Sequence, residues 1–215
     1  MNHRILAAAL TAATLALAAQ PSRALTDSDQ QLVAQADAYF DQVRTFKAHF
    51  LQEAADGAES EGDLYIDRPG KLRLEYQPPS PVLVVADGDS LVYYDKSLQQ
   101  VSYIDLDSTM AGVLVRDHVK LDEGDLEVTQ IGRRPGAASI TVTRRKDPKQ
   151  GRIALVFSEK PFELRQWQVT DQQGQVTTVT LYDAQSGLAL DPNLFVFHDP
   201  RPLGAGPRRE FEQGH

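Results

Sequence analysis

Residues 61–76, with the sequence EGDLYIDRPGKLRLEY, predict two β-strands that meet at Arg68-Pro69-Gly70. Apolar side chains recur at every second position on both sides of this corner: Leu64 and Ile66 before it, then Leu72, Leu74 and Tyr76 after it. Alternate side chains of a strand share one face, so the pattern indicates a sheet with one apolar side. Pro69 fixes its own φ, and Gly70 permits the positive φ that a type II turn needs. The sequence therefore places Arg68 at a corner beside an apolar face.

Short strand patterns continue through most of the chain. The predicted strands cover residues 82–86, 91–94, 100–104, 126–131, 139–143, 153–157, 163–170 and 176–182, and residues 194–197 form a last run that pairs back into the sheet. Asp-Gly and Pro-Gly pairs between these runs are typical of hairpin turns. About ten or eleven strands without alternating helices predict one large antiparallel sheet, curled or nearly closed.

Two segments have helical spacing. Residues 26–44 predict one amphipathic helix, in which Ser28 and Gln31 would form a capping box. Residues 108–115 predict a second, short helix that begins at Ser108. The second helix would cover another part of the fold, because it has an apolar side to bury.

The secondary structure of residues 46–50 is ambiguous. Phe46 and Phe50 continue the helical spacing, whereas Phe46, Ala48 and Phe50 alternate as in a strand. We expect a strand, which the turn at Asp56-Gly57 would connect to the strand that leads into the corner.

The first 24 residues have the composition of a secretory signal peptide. A basic start is followed by an apolar run over residues 5–19 and by small residues before a cleavage predicted after Ala24. A membrane anchor is the alternative, but the run is shorter than the ~20 residues that span a bilayer. Residues 25–199 would then form one domain, and the Pro-, Gly- and Arg-rich residues 200–215 are expected to be a disordered tail.

Composition excludes several kinds of chemistry. The chain has no cysteine, and so neither a disulfide nor a lipid-modified N-terminal cysteine. Without Arg4 and Arg23, 20 Lys and Arg stand against 30 Asp and Glu, a formal charge of −10, which argues against nucleic acid and anionic membranes as partners. His49, His118 and His198 lack metal-ligand spacing, and no nucleophile motif occurs. We therefore expect no catalytic residue, metal or cofactor, and an enzyme is disfavoured.

Several pieces of the sequence, taken in order, resemble one protein family. They are residues 46–52 (FKAHFLQ), residues 62–70 (GDLYIDRPG) leading to Glu75-Tyr76, Pro79 before Val84, Asp87-Gly88 before residues 91–95 (LVYYD), and Trp167 before residues 171–174 (DQQG). Together they resemble the periplasmic outer-membrane lipoprotein carrier family, LolA, over most of the exported chain. The resemblance implies a mainly β fold with helices (α+β): a half-open antiparallel β-barrel of about 11 strands, with a helical lid and an internal apolar cavity.

The resemblance also implies a function. A carrier of this family takes lipid-modified lipoproteins from a lipoprotein-releasing ABC transporter of the inner membrane and delivers them to an outer-membrane receptor, acting as a monomer in the periplasm. Arg68 matches the family's lid-latching arginine, whose guanidinium donates hydrogen bonds to helix-end carbonyls of the lid. A solvated turn arginine is the alternative that the residues alone would favour.

The resemblance further implies that the apolar faces supply the lining of the cavity. The candidates are Phe50, Leu64, Tyr65, Ile66, Leu72, Leu74, Tyr76, Val84, Leu91, Tyr93, Val101, Met110 and Leu114. Dry core is the alternative for each of them, and Tyr65, where relatives commonly have tryptophan, fits either face. Leu72 and Leu74 stand where relatives often have aromatic residues, which leaves the size of the cavity and the number of acyl chains open.

Three alternatives to a carrier remain. A lipid-sensing regulator of envelope stress has the same fold, but it carries a second domain for which this chain is too short. The outer-membrane receptor of the same pathway also has this fold, but it is lipidated on a cysteine that this chain lacks. A hydrolase of envelope lipids would need a nucleophile and a base that no motif supplies.

Overall fold

The computed structural model describes residues 25–200, which are built around one antiparallel sheet. Its strands are β1 (Thr45–Glu53), β2 (Glu59–Asp67), β3 (Lys71–Tyr76), β4 (Val82–Asp87), β5 (Ser90–Asp95), β6 (Gln100–Asp105), β7 (Leu126–Arg134), β8 (Ala137–Arg144), β9 (Arg152–Glu159), β10 (Phe162–Thr170) and β11 (Val176–Ser186). The predicted signal peptide and, apart from Pro200, the predicted tail lie outside the described residues.

The sheet is open between its two edge strands. β1 lies in the middle and pairs with β2 on one side and with β11 on the other. The full order is β6-β5-β4-β3-β2-β1-β11-β10-β9-β8-β7, and within residues 25–200 no ladder joins β6 to β7. Eleven antiparallel strands with a helix and an open side confirm the predicted fold class, a half-open barrel.

The ambiguous residues 46–50 belong to β1, as expected. Phe46, Ala48 and Phe50 are all buried on one face of this strand. Phe46 lies opposite Ile66 and Ala48 lies opposite Leu64 across the β1–β2 ladder. Because residues paired across a ladder point to the same side, these side chains define what we call the inner face of the sheet.

The helix α1 (Asp27–Gln42) packs on this inner face. Thr26 caps it, and the Thr26 hydroxyl and the Asp29 carboxylate form a capping box. The predicted box of Ser28 and Gln31 is therefore wrong by two residues. The apolar side chains that the helix buries are Leu32, Val33, Ala36 and Phe40.

Two 3-10 helices connect the edge strands β6 and β7. Leu106–Ser108 is capped by Asp105, and Ala111–Val115 is buried from Gly112 onward. The predicted helix over residues 108–115 is thus two shorter turns, and Ser108 does not cap it. Since both α1 and Ala111–Val115 pack on the inner face, we refer to the two together as the lid.

The corner Arg68–Gly70 joins β2 to β3 and contacts the lid. The Arg68–Pro69 peptide bond is cis, and Gly70 has a φ of +78°. The Gly70 amide donates a hydrogen bond of 2.7 Å to the Val115 carbonyl at the end of the lid. A Cβ atom on Gly70 would lie only 2.7 Å from the Cα atom of Gly88 in the neighbouring turn. Glycine is therefore required at position 70 both by backbone conformation and by space.

The last described segment covers the outer face of the sheet. Pro192–Phe195 is a 3-10 helix whose Phe195 is only 2% exposed, and it contacts β3 and β4. Arg73 donates a hydrogen bond of 3.1 Å to the Leu194 carbonyl. The predicted strand over residues 194–197 is therefore wrong, because the apolar residues of this run cover the sheet instead of extending its edge.

Gly70→Ala tests the close approach at the corner. We expect the free energy of unfolding to fall by about 2–4 kcal/mol, because both the backbone conformation and the Gly88 contact become unfavourable. Gly57→Ala is the matched control, since Gly57 has a φ of +82° but nothing within 4 Å of an added Cβ. It should cost about 1 kcal/mol in urea unfolding. Equal losses for the two variants would show that the Gly88 contact is unimportant.

Candidate functional site

A small cavity lies between the lid and the inner face of the sheet. Its volume is about 20 Å³. Ten residues line it: Tyr39, Phe40, Val43, Phe46, Leu64, Ile66, Arg68, Leu114, Leu164 and Trp167. Apart from the Arg68 guanidinium and the Tyr39 hydroxyl, these side chains are apolar or, for Trp167, largely so. The space is therefore suited to hydrocarbon and not to a polar ligand.

Each wall of the cavity comes from a different part of the chain. Tyr39 and Phe40 lie on the last turns of α1, and Leu114 belongs to the 3-10 part of the lid. Tyr39 and Phe40 both make edge-to-face contacts with Phe157 of β9, at centroid distances of 5.7 and 6.0 Å. Helical spacing in α1 and strand alternation in the sheet thus direct aromatic side chains from both sides into one apolar layer.

Among the described residues that line this cavity, Arg68 alone carries a charged group. Its Nε atom donates a hydrogen bond of 2.9 Å to the Val43 carbonyl at the end of α1, and its Nη2 atom donates to the same oxygen. The guanidinium carbon lies 5.5 Å from the centre of the Phe40 ring, in cation–π geometry. The whole residue is only 5% exposed. Within residues 25–200, its Nη1 atom is buried without a hydrogen-bond partner.

Burial is the main influence on the charge of Arg68. It lowers the pKa of Arg68 to about 10, with a further contribution from the nearby positive charge of Arg44. The group still carries its proton at neutral pH, so a full positive charge sits in an apolar surround. Two interactions offset the cost of burying this charge: the hydrogen bonds to the Val43 carbonyl and the cation–π contact with the Phe40 ring.

The corner contacts both parts of the lid. Besides the side-chain bonds to Val43, the Arg68 amide donates a hydrogen bond of 2.9 Å to the Arg44 carbonyl, and the Gly70 amide donates to Val115. Next to it, Arg44 pairs with Asp117 at 2.7 Å. Asp117 follows the 3-10 part of the lid, so this pair also links the end of α1 to the second lid segment.

A buried carboxylate fixes the middle of α1. Asp37 is 8% exposed and accepts a hydrogen bond of 3.1 Å from the Leu121 amide. Lys120 lies 3.8 Å from the same carboxylate. Burial raises the pKa of Asp37, and the Leu121 hydrogen bond and the Lys120 charge oppose this shift. Asp37 is therefore held in place by a backbone bond that does not require its negative charge.

The predicted lining residues fall into several groups. Leu64, Ile66 and Leu114 line the cavity, as does Arg68. Phe50, Leu72, Tyr76, Val84 and Met110 are buried in the same apolar cluster but do not reach the cavity, and Leu74 and Leu91 are partly buried against that cluster. Tyr93 shares the inner face with Leu74 and Val84 and is 39% exposed. For all of these, contact with a ligand remains a prediction.

Two predicted lining residues point away from the cavity. Tyr65 follows Leu64 along β2 and therefore points to the outer face, where the Lys47 ammonium group lies 5.4 Å from its ring. Val101 pairs with Tyr94, which pairs with Leu83, and this row also lies on the outer face. The alternation within β5 and β6 is apolar on both faces, so the sequence pattern alone could not assign Val101 to a side.

The residues that sequence reasoning missed come mainly from the end of α1 and from β10. They are Tyr39, Phe40, Val43, Phe46, Leu164 and Trp167. The helical stripe that contains Tyr39, Phe40 and Val43 was visible in the sequence, but nothing in it identified the strand that the stripe covers. Trp167 is the only tryptophan of the chain, and an isolated tryptophan among polar strand residues was the available signal.

The closed cavity is too small for an acyl chain. A volume of about 20 Å³ is close to the ~10–15 Å³ that one water molecule needs. Any larger ligand must displace the lid from the sheet. In the part of the chain that the structure describes, no group of acidic residues or histidines is arranged to hold a metal ion, and no helix is long and apolar enough to cross a membrane.

Substitution of Asp37 tests how the lid helix is anchored. The raised folded-state pKa means that the Asp37 contribution to stability is present below the unfolded value of 3.8 and is lost as pH rises through the folded value. Asp37→Asn keeps an acceptor for the Leu121 amide but does not ionise. Its free energy of unfolding, relative to that of the wild type, should therefore increase as pH rises to neutral. Asp37→Leu should lose about 1–3 kcal/mol at all pH values. Urea unfolding between acid and neutral pH measures both; equal losses for the two variants at neutral pH would contradict this account.

Comparison with known proteins agrees with this geometry. Residues 41–198 match the family model described as outer membrane lipoprotein carrier protein LolA. An outer-membrane lipoprotein carrier protein of Chromobacterium violaceum is 32% identical over 92% of this chain and 93% of its own length, and one of Methylococcus capsulatus is 28% identical over 75% and 81%. A solved LolA superfamily protein of Nitrosomonas europaea aligns with a TM-score of 0.45 at 12% identity, covering 78% of this chain and 97% of its own, which by itself supports no inference. The family match spans most of the chain, and this protein therefore belongs to the LolA family.

Proposed function

We propose that this protein is a periplasmic carrier that shields the acyl chains of lipoproteins between the inner and the outer membrane. The observation that carries the proposal is the apolar cavity between a separate lid and the inner face of an open sheet. The family match and the printed names of the relatives, all outer-membrane lipoprotein carrier proteins, support it.

The physical need for such a carrier follows from the ligand. Each CH₂ group that leaves water contributes about 0.8 kcal/mol, so a lipoprotein with long acyl chains does not cross an aqueous compartment unaided. The inner face of the sheet and the lid together offer a continuous apolar surface, which includes Leu64, Ile66 and Phe46. When the lid moves away, the acyl chains replace the lid as the cover of this surface.

Release requires that the bound state is not too stable. Entry of acyl chains breaks the contacts that close the lid, including the Arg68 bonds to Val43 and the Gly70 bond to Val115. Each net hydrogen bond is worth about 0.5–1.5 kcal/mol, and this loss offsets part of the gain from burying the chains. Arg68 is therefore proposed as the latch that keeps net affinity low enough for delivery.

The partners and the compartment follow from the same proposal. The carrier receives lipoproteins from a releasing ABC transporter in the inner membrane and passes them to a receptor at the outer membrane. It acts as a monomer and catalyses no reaction. A lipid-sensing module of the same fold is the alternative, and it differs in that it would retain its ligand instead of passing it on.

Fluorescence of Trp167 tests whether acyl chains enter the cavity. Trp167 is the sole tryptophan and lines the cavity, so its emission reports on that space alone. A synthetic triacylated lipopeptide with brominated chains should quench this emission when it binds, because bromine quenches only at close contact. The same lipopeptide without bromine should not quench it. Binding without quenching would place the chains elsewhere on the protein.

Arg68→Leu tests the latch. We expect this variant to take up a radiolabelled lipoprotein from spheroplasts but to deliver at most about a tenth as much to outer membranes, since the retained chains are no longer displaced by lid closure. Arg145→Leu is the matched control, because Arg145 also donates to a backbone carbonyl, that of Asp122, but at a distance from the corner. Normal delivery by Arg68→Leu, or equal loss in the control, would contradict the latch.

A further inference from the structure

The outer face of the sheet carries a second concave site, opposite the lid. It is a groove of about 430 Å³ across β7, β8, β9 and β10. Small side chains, among them Gly132, Ala137 and Ala154, form its floor, and longer polar side chains stand along its sides. The groove lies on the opposite side of the sheet from Trp167, so it is separate from the cavity under the lid.

The groove has a charge opposite to that of the whole protein. The chain carries 30 Asp and Glu against 22 Lys and Arg, yet among residues 25–200 no Asp or Glu lines the groove. Arg133, Arg134 and Arg152 do line it. Arg133 is already bonded to Ser28 and Asp29 at the start of α1. Arg134 and Arg152 are exposed and form no ion pair within residues 25–200, so their guanidinium groups are available to a ligand.

Two carboxylates, Glu127 and Glu163, lie in the same cross-strand rows as the two arginines but do not belong to the lining of the groove. Glu127 pairs in register with Thr143, which pairs with Arg152, so it stands two strands away from that arginine. Glu163 is already paired with Arg165 at 2.7 Å. Neither carboxylate neutralises Arg134 or Arg152, and the positive potential of the groove is left for an incoming anion.

The register of the strands sets the spacing of the two free arginines. Arg134 lies opposite Ala137 at one end of β8, and Arg152 lies opposite Thr143 at the other. The two positions are thus about 20 Å apart along the strand direction at ~3.4 Å per residue. An extended polypeptide covers this distance in about six residues.

The side chains between the arginines fit a polypeptide better than a sugar. Gln130, Gln166 and Gln168 line the groove, and each amide can both donate to and accept from a peptide group. In the described part of the chain no aromatic side chain belongs to the lining, so the groove offers no ring on which a sugar would stack. Guanidinium groups bind carboxylates in a bidentate manner.

We propose that this groove binds an extended acidic polypeptide segment, with carboxylates about six residues apart on Arg134 and Arg152. The glutamines contact the peptide groups between them, and the small floor residues allow the backbone to approach the sheet. The proposal does not depend on the carrier function, because the groove and the cavity lie on opposite faces.

The test is a titration of the ¹⁵N-labelled protein with the peptide acetyl-Glu-Ser-Gly-Ser-Gly-Ser-Glu-amide, followed by NMR. We expect the amide signals of Ser139, Thr141 and Ala154 to shift with peptide concentration. The same peptide with Gln in place of both Glu should produce no such shift. Raising the salt concentration should weaken the binding, because exposed charges are screened.

Two double variants separate the groove from general charge. Arg134→Gln with Arg152→Gln should weaken binding by about tenfold or more, while urea unfolding should show unchanged stability, since both side chains are exposed and unpaired. Lys96→Gln with Lys146→Gln makes the same change in net charge outside the groove, at two exposed lysines, and should bind as the wild type does. Shifts that are absent, that persist with the Gln peptide, or that weaken equally in both variants would overturn the proposal. Tighter binding of a polygalacturonate oligomer of equal charge at the same residues would overturn it in favour of an anionic polysaccharide.

Discussion

The position of the Arg68 guanidinium is the constraint on which the closed form of this protein depends. A charged group that is 5% exposed beside an apolar cavity needs compensating interactions. The acceptor here is the Val43 carbonyl, which lies just past the end of α1 and has no partner within the helix. Two donors of the arginine bond to this carbonyl, and these bonds are lost if the lid leaves the sheet. The closed form is therefore one defined position of α1 and not a range of loosely packed ones.

Two kinds of contact hold the lid on the sheet: apolar packing and directional hydrogen bonds. Apolar contacts such as Phe40 with Phe157 hold α1 against the sheet, but they tolerate small shifts of the helix. Bonds to backbone atoms, made by Asp37 at the middle of α1 and by the corner at its end, do not tolerate such shifts. In the proposed function, a lid fixed in this way would open when a few bonds break, and its apolar surface would be exchanged for that of a ligand. The same apolar layer would then serve as protein core in the closed form and as binding surface in the open form.

The sequence predicted those features that depend on local periodicity. The alternation of apolar and polar side chains predicted the strands and the corner. A strand that buries only one face has an apolar residue at every second position, as at Leu64, Ile66, Leu72 and Leu74. This pattern failed where a strand is apolar on both faces: in β4 to β6, Val85, Val92 and Val101 are buried on the outer face, so period two no longer separates inside from outside. The run at residues 194–197 was misassigned because four consecutive apolar residues suit a segment that covers a sheet as well as they suit a strand. Residue spacing alone also could not identify Val43 as the hydrogen-bond acceptor of Arg68. The two residues are brought together only by the β1–β2 pairing that places α1 over the sheet.

Within residues 25–200 the Nη1 atom of Arg68 has no hydrogen-bond partner, which gives this arrangement a further property. A buried donor without an acceptor costs about 1–3 kcal/mol, so the closed form is less stable than a fully bonded latch would make it. A latch with every donor satisfied would oppose opening more strongly, and the gain from burying acyl chains would have to exceed that larger loss. A latch without the arginine would oppose opening too little, and bound chains would be retained. In the proposed carrier, a latch with one unsatisfied donor lies between these limits and would keep the empty and the loaded forms close in free energy, as acceptance and release of an apolar ligand require.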